Sequence, residues 1–222
     1  MSTPRKRAVV FISGSGSNMM ALVRASKAQD FPAEIVGVIS DKPDAGGLAK
    51  AAAEGIATFA FSRKDYPGKE AHEAAIFAAL DQLSPDILCL AGYMRLLSGT
   101  FIHRYDGRIL NIHPSLLPLF PGLHTHQRSI DAGMRITGCT VHFVTEGMDE
   151  GPVIGQAAVP VLPGDTADAL AARVLTVEHQ LYPRALKLFA EGTVKMEGGK
   201  AVRAIEVSSL DADAESAAVV SV

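Results

Sequence analysis

An asparagine and a histidine stand two residues apart at the end of an apolar run in RILNIHPSLLPLFPGLHTHQRSI, Arg108 to Ile130. In a β-strand, residues two apart project to the same face, so Asn111 and His113 point together while Leu110 and Ile112 point the other way. Pro114, Pro118 and Pro121 stiffen the exit from the strand and hold the pair in place. An amide donor beside an imidazole suits a reaction in which negative charge grows on an oxygen while a proton moves. The plainer reading, two satisfied polar groups at a strand end, fits a lone histidine better than this arrangement. A histidine acting as an acid needs a carboxylate to orient it. TEGMDEGPVIGQ offers Glu146, Asp149 and Glu150, and spacing does not choose among them.

A second candidate is SGSGSN, Ser13 to Asn18, between an apolar run and a helical pattern. Glycines allow a tight turn there, and amides at a helix N-terminus point at an anion with the dipole behind them. The match to a dinucleotide fingerprint is incomplete, because Met19 stands where a third small residue would pack. A simple phosphate is therefore favoured over a dinucleotide, although Asp41 keeps a nucleotide-ribose reading open. His124, His126 and His142 invite a metal reading, but no HExxH or CxxC accompanies them, and no metal is expected. A covalent nucleophile has no support either: there is no GxSxG elbow, and Cys89 and Cys139 lie in apolar stretches.

These residues need a scaffold. The chain has 222 residues, 48% of them hydrophobic and 20% charged, which suits one soluble globular core. A net charge of −3 offers no basic face for nucleic acid. Two cysteines in apolar surroundings point to reduced thiols. The basic start precedes an apolar run, Ala8 to Ile12, too short for a signal peptide. Nothing reaches the roughly 18 apolar residues of a membrane span, and a cytoplasmic protein is expected.

Strands are expected at Arg7–Ile12, Glu34–Ser40, Ile56–Phe61, Asp86–Ala91 and Arg108–His113, most of them continuously apolar as if covered on both faces. Helices are expected at Asn18–Ala28, Gly46–Glu54 and Gly68–Leu83. This alternation predicts an α/β fold with a mainly parallel, doubly wound, Rossmann-like sheet. Thr137–Val144 and Pro152–Val161 are joined too tightly for a crossover and should form an antiparallel C-terminal portion. Asp165 is expected to cap a long helix from about Thr166, carrying Leu170, Val174, Val177 and Leu181, with Pro183 kinking or interrupting it. A hairpin turning at Gly198-Gly199 should follow within Thr193–Ile205. One domain is expected over 1–207, and 208–222 as a disordered tail.

VVFISGSGSN, LAGYMRLLS and ILNIHPSLLPLFPGLHTHQRSIDAG with GCTVHFVTEGMDEGPVIGQ, in this order, resemble the folate-dependent formyltransferases that act on glycinamide ribonucleotide. The likeness covers roughly Ala8 to Ala190, and its Asn-x-His-Pro-Ser-Leu-Leu-Pro segment is specific to formyltransferases using 10-formyltetrahydrofolate. The resemblance implies formyl transfer from that cosubstrate to the glycinamide amine in purine synthesis, by a monomer or homodimer without metal. It makes Asn111, His113 and Asp149 catalytic. Gly16, Ser17 and Asn18 would hold the ribonucleotide phosphate, and Glu178 would reach its ribose. Met94, Arg95, Leu96 and Leu97 would line the folate pocket, with Asn111, Val144 and the 145–149 loop. Lys69 stands where the family usually has a folate-holding arginine, which keeps the charge but loses the bidentate fork.

Two relatives in chemistry share the Asn/His/Asp core. A 10-formyltetrahydrofolate hydrolase would bring a regulatory domain ahead of it, and a methionyl-tRNA formyltransferase a basic domain behind it, so length favours neither. A Rossmann-type oxidoreductase is opposed by Met19 and the Asn-x-His strand. A non-catalytic descendant is opposed by retention of all three core residues.

Overall fold

The computed structural model describes residues 4–202, 207–209 and 219–221. The chain forms two compact units, Met1–Leu110 and Asn111–Val222, whose boundary falls inside one strand.

The first unit is built on β1 (Lys6–Ile12), flanked in parallel by β2 (Ala33–Ser40) and β4 (Ile87–Leu90). β3 (Ala57–Ala60) lies parallel outside β2. β5 (Ile109–His113) begins beside β4, where the Leu88 N–H donates to the Arg108 carbonyl at 2.9 Å. Parallel neighbours need crossovers, and α1 (Ser17–Ser26), α2 (Gly46–Ala53) and α3 (Lys69–Leu83) supply them. Ala8 to Ile12 are wholly buried, packed with Met19 and Leu22 of α1 and Ile76 and Leu80 of α3 in the core. Each such side chain contributes about 1.5–3 kcal/mol by leaving water. β3 departs from the expected doubly covered strand: it is the edge, and most of its residues are exposed. A short helix α4 (Gly99–Arg104) was not foreseen, since six residues are too few to show a period. Ser98 caps it, its Oγ accepting the Phe101 N–H at 3.1 Å.

In the second unit, β6 (Ile136–Phe143) pairs antiparallel with β7 (Val153–Pro160), as the short connection requires. Gly138 sits where a Cβ would meet the Ala157 carbonyl oxygen at 1.8 Å, so the two strands approach closely only with glycine there. α5 (Thr125–Asp131) precedes β6, and α6 (Ala167–Ala190) follows β7, burying Leu170, Val174, Val177 and Leu181. The expected cap of α6 needs correction, and the expected interruption at Pro183 does not occur. Its cap is Thr166, whose Oγ1 accepts the Ala169 N–H at 3.2 Å. Asp165 is engaged instead by both terminal nitrogens of Arg173, at 2.7 and 2.9 Å, and by the Leu162 N–H. The Arg173 hydrogen bonds are the main reason its carboxyl is held down to about 2. Pro183 lies within α6 without interrupting it. Buried Leu181, Tyr182, Ala185 and Leu186 anchor the helix on both sides of the missing N–H, and that packing outweighs a local helix break.

β8 (Lys195–Glu197) and β9 (Lys200–Val202) form the expected hairpin, with Gly198 and Gly199 both at positive φ. Part of the expected tail is structured. Val207–Ser209 (β10) and Val219–Ser221 (β11) pair antiparallel, and β11 continues the sheet beside β7, with Val219 opposite Ala158. An open strand edge takes up such a segment through its unpaired backbone groups. The rest of 208–222 lies outside the described residues. Among the described residues, no helix is long and apolar enough to cross a membrane.

Candidate active site

β5 ends on Asn111 and His113, and the chain leaves it through a loop tied down by buried polar groups. Thr140 Oγ1 donates to the Ser115 carbonyl at 2.7 Å and accepts the Leu117 N–H at 3.0 Å. Gln156 donates to the Leu117 carbonyl, and Ser115 Oγ to the Leu119 carbonyl. The Leu117-Pro118 peptide is cis. This bracing brings the Phe120 carbonyl to 3.0 Å from His113 Nε2. On the other side of the ring, Asp149 Oδ2 lies 3.4 Å from His113 Nδ1. His113 therefore stands between two acceptors, and only the doubly protonated ring donates to both.

Of the three carboxylates in the 145–156 segment, Asp149 is the one turned inward. Its backbone is left-handed, φ 56°, and its Oδ2 also accepts the Gly122 N–H at 2.8 Å. Gly151 lets the segment return, because a Cβ there would meet the Phe143 carbonyl oxygen at 1.7 Å.

His142 on β6 is a fourth member that sequence reasoning had set aside with the metal candidates. Its Nδ1–H donates to the Phe143 carbonyl at 2.8 Å, which leaves Nε2 as an acceptor for Asn111 Nδ2 at 3.1 Å. Burial is the main cause pushing the His142 imidazole below its ordinary value, so the ring stays neutral. The 3.9 Å approach of its Nε2 to Asp149 Oδ1 is therefore not an ion pair. A neutral acceptor at this place decides which end of the Asn111 amide is nitrogen. His126 is likewise pushed down, by burial and then by His113. Among the described residues, no three His, Cys, Asp or Glu side chains are grouped to hold a metal.

A pH dependence of stability follows. The unfolded chain protonates His142 near pH 6.5, whereas the folded chain resists, so the unfolded state binds more protons as pH falls below that value. His142 alone should lower stability by up to about 1.4 kcal/mol per pH unit there. Urea unfolding at pH 7 and at pH 5.5 should show the loss, and His142→Gln should show less of it.

Two further site candidates lie in the second unit. Val144 is half-buried just past β6. Glu178 is buried on α6, and its charge adds to burial in pushing the Cys139 thiol up.

In the first unit, the Ser13–Asn18 turn leads into α1, with Gly16 at its N-cap in a left-handed conformation, φ 70°. Gly16 brings no side chain to cap this helix, and backbone N–H groups present its positive end. The wholly buried Met19 fills the space beneath Gly16, where a Cβ would come within 2.8 Å of its Cε. That filling explains the missing third glycine. α2 packs its Gly47 against Gly16, and the Gly47 N–H donates to the Gly14 carbonyl at 3.0 Å. The packing also carries Lys50 to the turn, where its ammonium donates to the Ser15 carbonyl at 2.9 Å. Gly16→Ala should cost about 1–2 kcal/mol in backbone strain alone. Calorimetry should show that loss, and steady-state kinetics a raised KM for a phosphate-bearing substrate.

Asp41 does not keep its ribose reading. Its buried carboxylate accepts from Ser13 Oγ at 2.5 Å and from Arg95 Nε at 2.7 Å. Ser13 Oγ in turn accepts the Met94 N–H, and the Ser13 N–H donates to the Gly92 carbonyl, so the turn is bonded to the 92–95 segment. Burial and then the Asp41 charge push the Tyr93 phenol well up, keeping it neutral.

That segment walls a pocket of about 310 Å³ lined by Arg63, Lys69, His72, Glu73, Ile76, Tyr93, Arg95, Leu96 and Leu97. Lys69, Arg95, Leu96 and Leu97 are brought together in this wall. Met94 is 65% exposed and is not part of the wall. Arg63 also lines the wall, from a three-residue 3₁₀ turn with no sequence pattern to single it out.

The chain belongs to the formyl transferase family, which its residues 6–186 match. It is 46% identical to the phosphoribosylglycinamide formyltransferase of Escherichia coli over 188 residues, 85% of this chain and 89% of that protein. It is 48% identical over 199 residues to the trifunctional purine biosynthetic protein adenosine-3 of Bos taurus, covering 89% of this chain. The chain spans between 14% and 20% of the length of such trifunctional relatives. The crystal structure of a phosphoribosylglycinamide formyltransferase from Brucella melitensis is 72% identical, with a TM-score of 0.81 over 84% of this chain and 96% of that one.

Proposed function

We propose that this chain transfers the formyl group of 10-formyltetrahydrofolate to the amine of glycinamide ribonucleotide, in the cytoplasm, as a step of purine synthesis. The observation that carries this reading is the His113 ring between Asp149 and the Phe120 carbonyl, with Asn111 held by His142 beside it.

The amine attacks the formyl carbon directly, so the protein supplies no nucleophile. A carbon–nitrogen bond forms, and the formyl oxygen gains negative charge. The second N–H of Asn111 Nδ2 and the Nε2–H of His113, released from the Phe120 carbonyl, donate to that oxygen. Asp149 keeps the imidazole oriented through Nδ1. The tetrahedral carbon then expels the folate nitrogen, and the proton lost by the amine passes to that nitrogen through a water molecule. The products are formylglycinamide ribonucleotide and tetrahydrofolate. Gly16, Ser17 and Asn18 hold the substrate phosphate on the positive end of α1, and Glu178 its ribose. Lys69, Arg95, Leu96 and Leu97 hold the folate, with Met94 at the surface beside them, and Val144 is the further folate residue that the resemblance implies. Mixing the protein with formyl-labelled folate and denaturing it should leave no label on the protein. Adding the ribonucleotide should place the label on its amine. Label retained on the protein would overturn direct transfer.

A further inference from the structure

Arg63, Lys69 and Arg95 bring three cationic side chains to one pocket, and among the described residues only one of them has a carboxylate partner. Arg95 Nε is paired with Asp41. The one acid in the wall, Glu73, is occupied: its carboxylate accepts the Ser98 N–H at 2.9 Å and the Ser98 Oγ–H. Lys69 is the first residue of α3, where a helix dipole favours acids and disfavours a cation. A cation kept at a position that local stability disfavours points to function. Arg63 stands half-buried in the same wall, its Nη1 donating to the Tyr66 carbonyl at 2.9 Å. That bond occupies one donor of the guanidinium. An ammonium is a point charge, whereas a guanidinium matches a carboxylate with two parallel donors.

We propose that Arg63 is the specificity-determining residue for the folate carboxylates, gripping the glutamyl end of the cosubstrate while Lys69 adds only charge. The inference rests on the pocket being the folate site, as proposed above. It assigns to Arg63 the bidentate contact that lysine cannot make at position 69.

The test compares two probes, a 10-formylfolate analogue carrying one glutamate and the same analogue ending in a neutral benzamide. Arg63→Gln keeps an amide donor for the Tyr66 carbonyl and removes the charge. Charge-assisted hydrogen bonds predict a 10- to 100-fold loss of affinity for the glutamyl probe, on the order of what one such contact is worth. Affinity for the benzamide probe should be unchanged. KM for the folate should rise with kcat held, because the contact is remote from the formyl carbon. Arg63→Lys should recover only part of the loss, and Lys69→Ala should lose less than Arg63→Gln. Equal weakening toward both probes would show a structural part for Arg63 and overturn the inference, as would no weakening toward either. A wild-type protein that transfers formyl groups while Arg63→Gln still discriminates between the probes would sink this inference alone. A wild-type protein that binds neither probe would sink the folate reading as well.

Discussion

Replacing His113 by alanine should lower kcat by about 10²–10³-fold, equivalent to about 2.7–4 kcal/mol of lost transition-state stabilisation, the usual cost of deleting an oxyanion donor. The ring is buried, and its two polar approaches are to Phe120 and Asp149, both of the second unit. Ribonucleotide binding, assigned to the Gly16–Asn18 turn, should therefore hold. The alanine also leaves a cavity, so circular dichroism and a urea midpoint should accompany the kinetics. His113→Gln serves as the packing control, since its amide can still donate to the Phe120 carbonyl. Near-native turnover in His113→Ala would remove His113 from the mechanism.

Asp149→Asn is the second large effect, and the structure makes it a clean substitution. Position 149 has φ 56°, a conformation asparagine tolerates better than almost any residue but glycine. The amide oxygen can still accept the Gly122 N–H, so the segment should keep its shape. What disappears is the charge facing His113 Nδ1. An amide nitrogen turned toward the ring would favour the wrong tautomer, and loss of an orienting carboxylate costs about 10²–10⁴ in turnover. Glu146→Gln and Glu150→Gln should be near neutral, since both side chains are exposed. Steady-state assays of the three variants side by side would show whether Asp149 alone carries the effect.

The pairing of Asn111 with His113 was legible because a period of two, a strand end and a run of prolines coincide within a few residues. The neighbours of the pair were not. His142 meets Asn111 only because β6 runs near the end of β5, an adjacency that a sequence separation of 31 conceals. The choice of Asp149 over Glu146 and Glu150 depends on a left-handed backbone and the Gly122 amide, neither of which spacing encodes. The resemblance to formyltransferases supplied that choice. Thr166 and Asp165 are equally good caps on paper, and Arg173 two turns along α6 decided between them by claiming the acid. Arg63 left no trace in the sequence, because a single basic residue in a short turn resembles any solvated loop. The parallel strands were legible from their continuous apolar runs, while the exposed edge β3 and the β11 pairing depend on which strand lies outermost.

Direct transfer at this constellation is tested most directly by following the absorbance of a 10-formylfolate analogue as purified protein consumes it, with and without glycinamide ribonucleotide. Consumption should require the ribonucleotide and should collapse in His113→Ala. Consumption at the same rate without the ribonucleotide would make water the acceptor and contradict the account.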